Sequence, residues 1–250
     1  MKTLPLALSV ATALALSLSL NAQAQSNCAV PETSITHEVF LEWQEDYFSF
    51  ATSHGYDVLG ERLDTNLIDF DIDSLQLDSL YKKCPTCEDV RIYFAAAIED
   101  GINSPRLLLV NVDDNCSDTE FKEKGILLIA PDGGSGFISQ TEATLLRANW
   151  QAYMTLTQAR IPNLISLNSY TYYRTTLQKA YANGTKTLKI TLARRVVDPS
   201  ETDYEFPSSP LDPVSFNLII SSIDESGNVL ENSHMNFARP CPKFCPPSSF

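Results

Sequence analysis

Cys84-Pro85-Thr86-Cys87 is the arrangement in this chain that most invites chemistry. Two thiols separated by two residues cycle between dithiol and disulfide, and a helix N-terminus placed at the first makes it a strong nucleophile. The flanking residues run the other way. A helical pattern ending in Lys82-Lys83 leads in and a strand pattern leads out, so a structural bridge is expected rather than redox catalysis. With Cys241-x-x-x-Cys245 the pair would supply four thiolates, a set that suits zinc. Asp69-Phe70-Asp71-Ile72-Asp73 and Asp113-Asp114-Asn115-Cys116-Ser117-Asp118 resemble calcium loops. Neither has glycine at the sixth position, and Leu80 and Lys124 stand where a bidentate glutamate belongs. Gly133-Gly134-Ser135-Gly136 lies between strand and helix patterns, as a hydrolase nucleophile elbow would, but Phe137 takes the place of its last glycine. Of His37, His54 and His234, only His234 follows that serine, and no acid is singled out as its partner. Acids are plentiful, yet no pair stands out for glycoside hydrolysis. No motif asks for a cofactor.

The start of the chain indicates where these cysteines mature. Lys2, an apolar run from Leu4 to about Leu20, and small Ala22 and Ala24 form a secretory signal peptide over residues 1–24, cleaved after Ala24. Gln25-Ser26-Asn27 before Cys28 does not fit a lipoprotein signal. No later stretch reaches the roughly 18 apolar residues of a membrane span. The expected location is secreted or periplasmic. All six cysteines, Cys28, Cys84, Cys87, Cys116, Cys241 and Cys245, then read as disulfide candidates, and oxidation competes with zinc. The net charge of −13 falls by one more unit when Lys2 leaves. Such acidity repels nucleic acid and anionic lipid, so neither is an expected partner.

Strands and helices must position these residues, and their patterns recur. Val90-Arg91-Ile92-Tyr93-Phe94-Ala95 matches Leu188-Lys189-Ile190-Thr191-Leu192-Ala193, each a half-buried strand with a cation and a hydroxyl on one face. A second strand with an acidic end follows in each half, from Leu107 to Val112 and from Phe216 to Ile223. A third is expected at Ile126 to Ala130 and at about Met235 to Arg239. A long helix precedes each hairpin. One carries Phe40, Trp43, Tyr47 and Phe50; the other carries Leu146, Trp150, Tyr153 and Thr157 behind a Ser139/Glu142 cap. These aromatic stripes are expected in the core. Shorter helices are expected from Asp73 or Ser74 to about Lys83, and from about Tyr172 to Asn183. The predicted fold class is α+β, with two tandem pseudo-repeats, each of two helices followed by a two- or three-stranded antiparallel sheet. The first repeat spans 25–131 and the second 139–250, joined by a turn-rich connector at 132–138. The second holds a Pro-rich insertion at 194–213. Units this short often share a sheet or pack face to face, so two copies need not be two independent domains.

Setting Arg91 opposite Val112 and Ala96 opposite Leu107 places Cys87 opposite Cys116, at the open end of the first hairpin. The second half has Thr185 and Gly227 near those positions, so both cysteines are absent together. That favours a Cys87–Cys116 bridge, with Cys84–Cys116 nearly as good. Cys28, Cys241, Cys245 and the spare of Cys84 and Cys87 would form the others.

The strands VRIYFA and LLLVNV, the acidic turn and the terminal Cys241-Pro242-Lys243-Phe244-Cys245 resemble an uncharacterised family of small proteins common in Bacteroidetes. Its members resemble one unit, with an "RIYFG"-like strand, an "LVLVGVD"-like strand and a closing "CPxxC". Ala95 stands where that pattern has glycine, and the first half lacks the terminal pair. The resemblance implies a bacterial source and this architecture, and no catalytic residue. The expected function is a binding or interaction module for a protein or small molecule, without cofactor. The alternative is an extracytoplasmic enzyme, a hydrolase or thiol–disulfide protein. The loop from Arg194 to Pro213 is the expected contact surface.

Overall fold

The computed structural model describes residues 33–54, 62–63, 69–113, 125–131, 133–181, 185–201, 206–236 and 239–241. The expected signal peptide and Cys28, Cys116 and Cys245 lie outside these residues. In chain order the elements are β1 (Thr33–Ser34), α1 (His37–His54), β2 (Arg62–Leu63), β3 (Asp69–Asp73), α2 (Ser74–Tyr81), β4 (Asp89–Glu99), β5 (Ile102–Val112), β6 (Ile126–Ile129) and β7 (Ser135–Ile138). Then follow α3 (Gln140–Arg160), β8 (Ser169–Tyr173), α4 (Arg174–Tyr181), β9 (Thr187–Val196), β10 (Val214–Ser222), β11 (Met235–Asn236) and β12 (Arg239–Cys241). The fold is mixed α+β with two sheets.

Local chemistry sets the boundaries. Asp73 caps α2: its carboxylate accepts from Leu75 N at 2.6 Å, and Gln76 Oε1 accepts from Asp73 N at 3.0 Å. Ser139 Oγ accepts from Glu142 N at the start of α3. Asp100 and Gly101 link β4 to β5 with φ of +53° and +76°, the two-residue turn that matches strand twist. This turn fixes the hairpin register at Arg91↔Val110 and Phe94↔Leu107. The expected Arg91–Val112 alignment, and with it Cys87 opposite Cys116, is therefore displaced along the strand. The Asp-Gly dipeptide was the sequence signal that decides it.

The sheets run β1-β11-β10-β9-β3 and β12-β8-β4-β5-β6-β7, antiparallel except where β2 lies parallel beside β5. Three consecutive strands of one half form the middle of each sheet, and strands of the other half flank them. β3 pairs with β9, as Asp69↔Thr191. β8 pairs with β4, as Ser169↔Tyr93. β1 closes on β11 and β7 on β6. The long helices follow suit, α1 packing against β9 and α3 against β4. Each half thus completes the other's sheet, rather than keeping its two helices on its own.

One apolar core joins both sheets. Phe70, Ile72, Ile190, Phe216 and Leu218 meet Ile92, Phe94, Leu107, Tyr170 and Trp150 there. Trp150 stacks on Phe94 with centroids 5.1 Å apart, and Phe50 meets Phe216 edge-on at 5.2 Å. The expected half-burial of β4 is corrected: Arg91 and Tyr93, on the opposite face from that core, are also buried. The Arg147 guanidinium of α3 lies 4.2 Å from the Tyr93 ring, and Arg91 Nε donates to Thr171 Oγ1 at 3.1 Å. The expected connector at 132–138 holds a turn at Gly133 and the strand β7. Ala130 N donates to Gly134 O at 2.7 Å, Gly133 turns at φ +82°, and β7 begins at Ser135, so a hairpin turn connects β6 to β7.

Candidate functional site

The cysteine pair sits in the turn that ends α2. Cys84 N donates to Tyr81 O at 3.1 Å and Cys87 N to Cys84 O at 3.3 Å, bringing the two side chains together as a disulfide with Cα atoms 5.4 Å apart. The Cys87–Cys116 pairing is overturned, because Cys87 is already bonded to Cys84. In this state neither offers a thiolate to zinc. Both sulfurs belong to a buried cluster with Tyr93, Leu108, Val110 and Ala143. Arg174 fastens the turn from outside: its N donates to Glu88 O at 2.7 Å, its Nη1 to Pro85 O at 3.2 Å, and its guanidinium lies 4.2 Å from the Tyr81 ring. A cleft of about 460 Å³ opens beside it, lined by Thr86, Cys87, Glu88, Tyr173 and Thr175. Cys241 pairs with Ser169 through its backbone in β12.

The other candidates are drawn into structural roles. Asp69, in the first acidic cluster, accepts from Thr191 Oγ1 at 2.7 Å and from Lys189 Nζ at 3.2 Å. Asp73 is the cap of α2. Most of the second cluster lies outside the described residues. Ser135 Oγ accepts from the Gln76 amide, not from a histidine. Among the described residues no three His, Cys, Asp or Glu side chains converge to hold a metal.

Sequence reasoning missed one constellation. His37 Nδ1 and His234 Nε2 lie 2.9 Å apart, and His234 Nδ1 lies 2.8 Å from Ser221 Oγ. Phe40 stacks on the His234 ring at 4.1 Å. Ile35 N donates to His234 O at 3.1 Å, so the cluster seals β1 and α1 onto β10. Burial, then the neighbouring His37, push His234 down to about 4, against a weaker opposite pull from Glu231. Ser221 and His234 are fully enclosed, so the trio resembles a hydrolase chain in its atoms but gives a substrate no approach. The two histidines are 197 residues apart, and no local pattern in the chain announces their meeting.

The loop between β9 and β10 is held at both ends. Val197 N donates to Pro213 O at 2.8 Å, and Asn163 Nδ2 donates to Asp212 O at 2.6 Å. Arg195 grips Glu201 with both ends of its guanidinium, at 2.9 and 2.7 Å, and Glu201 Oε1 also accepts from Asp198 N. Around this frame Val196 and Leu211 are each 57% exposed and Phe206 is 37% exposed. No family model, curated protein or solved structure matches the chain.

Proposed function

We propose that this chain is an exported binding module, secreted or periplasmic, built from two tandem copies of one α+β unit. Its contact surface is the loop between β9 and β10. The carrying observation is that this loop and the end of β9 combine the Arg195–Glu201 ion pair with solvent-facing Val196, Phe206 and Leu211. Outward apolar side chains beside a hydrogen-bonded frame are what a partner can bury. Two observations support the tandem-copy part. β3 and β8 each run directly into an eight-residue helix. Each also pairs with the first strand of the other half's hairpin at matching positions, Asp69↔Thr191 and Ser169↔Tyr93.

The test places a photo-crosslinking residue at Leu211, and separately at exposed Arg160 as control, in protein recovered from its own extracytoplasmic fraction. A discrete adduct at position 211 that disappears in Val196→Ser, and that position 160 does not give, is the expected result. Equal labelling at both positions would remove the loop as the contact surface.

A further inference from the structure

α1 and α3 are placed alike, which makes each a control for the other. Phe40 meets Ala193 and Ile219 on one sheet, and Ala143 meets Ala95 and Leu108 on the other. Trp43 and Leu146 flank those clusters, and Tyr47 and Trp150 enter the shared core one turn later. In this alignment Leu41 corresponds to Thr144, Glu45 to Ala148 and Phe48 to Gln151. All six of these residues are exposed.

The outward faces nevertheless differ in chemistry. On α1, Leu41 and Phe48 are 47% and 48% exposed and line a shallow hollow of about 430 Å³ with Gln44 and Glu45. The helix carries Glu38, Glu42, Glu45 and Asp46, and neither lysine nor arginine. On α3 the residues matching Leu41 and Phe48 are polar, and Glu142 is the one acid. Thr141, Leu145 and Ala148 stand in place of Glu38, Glu42 and Glu45. Leu145 is exposed there, but two turns on stands only the small Ala152, not a large apolar side chain like Phe48. α3 thus packs on its sheet in the same way without an acidic rim or a pair of large outward apolar residues.

We propose, resting on the binding-module reading above, that the outer face of α1 docks a cationic amphipathic helix of another protein. Leu41 and Phe48 lie two turns apart on one stripe, the spacing at which a helix presents successive apolar residues to a helical partner. Exposed Glu45 lies between the two, and Glu38 and Glu42 flank them on the same side, so a partner carrying lysine or arginine there is selected and an acidic one is repelled.

The probe is a fluorescein-labelled 14-residue amphipathic Leu/Lys peptide, titrated against the full mature chain at physiological salt and followed by anisotropy. Saturable binding is expected. Leu41→Thr with Phe48→Gln, which gives α1 the residues of α3, should weaken it at least about tenfold. Glu38→Gln with Glu42→Gln and Glu45→Gln should weaken it and flatten its salt dependence. A Leu/Glu peptide of the same pattern should not bind. Circular dichroism checks that the variants fold. Equal affinity of wild type and the Leu41→Thr/Phe48→Gln variant would overturn the proposal, as would sedimentation showing a dimer that this variant makes monomeric, because a second copy would then be the occupant. Leu211 photo-labelling is an independent readout. If it persists while the peptide fails, only the α1 assignment falls.

Discussion

His234 shows how much one buried ring can govern. Both its nitrogens are engaged, with His37 and Ser221, and burial disfavours the charged ring. Its folded-state value of about 4 lies below the roughly 6.5 of an exposed histidine. Between those values the unfolded chain takes up a proton that the folded chain refuses. The ring's contribution to stability is thus complete above pH 6.5 and is lost as the pH falls toward 4. Urea melts at pH 7.5 and 4.5 should show wild type losing more stability than His234→Gln, whose amide keeps hydrogen bonds without titrating. Equal losses would show that the acid sensitivity lies elsewhere.

At the scale of elements, the turn closed by Cys84 and Cys87 is short, so the bridge restricts little of the unfolded chain. The double variant Cys84→Ser/Cys87→Ser should cost about 2 kcal/mol, from loop-closure entropy, and should leave the circular dichroism spectrum unchanged. Guanidinium melts measure it; a loss of cooperative unfolding would mean that the bridge defines the fold of α2 and β4. Some elements were legible in the chain because a local signal marks them. The Phe40, Trp43, Tyr47 and Phe50 stripe gives α1, and Asp73 with Gln76 starts α2. β3 was not recognised, although Asp69-Phe70-Asp71-Ile72-Asp73 alternates, because acids before a helix also suit its dipole. β8 is short, and its pairing is decided by β4 and β12, strands far away in sequence. The exposed residues of α1 and of the β9–β10 loop could be listed from the chain. Which of them face water depends on contacts that no local pattern carries.

For the whole molecule, the reciprocal flanking of the sheets means that neither half has a complete sheet alone. A protease site inserted at Gly133, in the exposed turn between β6 and β7, tests this in the full chain. After cleavage the two fragments should co-elute at the native size and separate only in denaturant. Fragments that part in native buffer would show independent halves. The same feature sets an order of events for a chain made from one end. Arg91 meets Thr171 across 80 residues and Asp69 meets Thr191 across 122. While the first half waits, β4 and β6 expose unpaired backbone edges, which invite association with other unfinished chains. Completion is a late, long-range step, so folding should be slow for the molecule's size. A holdase that covers those edges, or dilution, should raise the yield of native protein more than any stabilising change in the finished core.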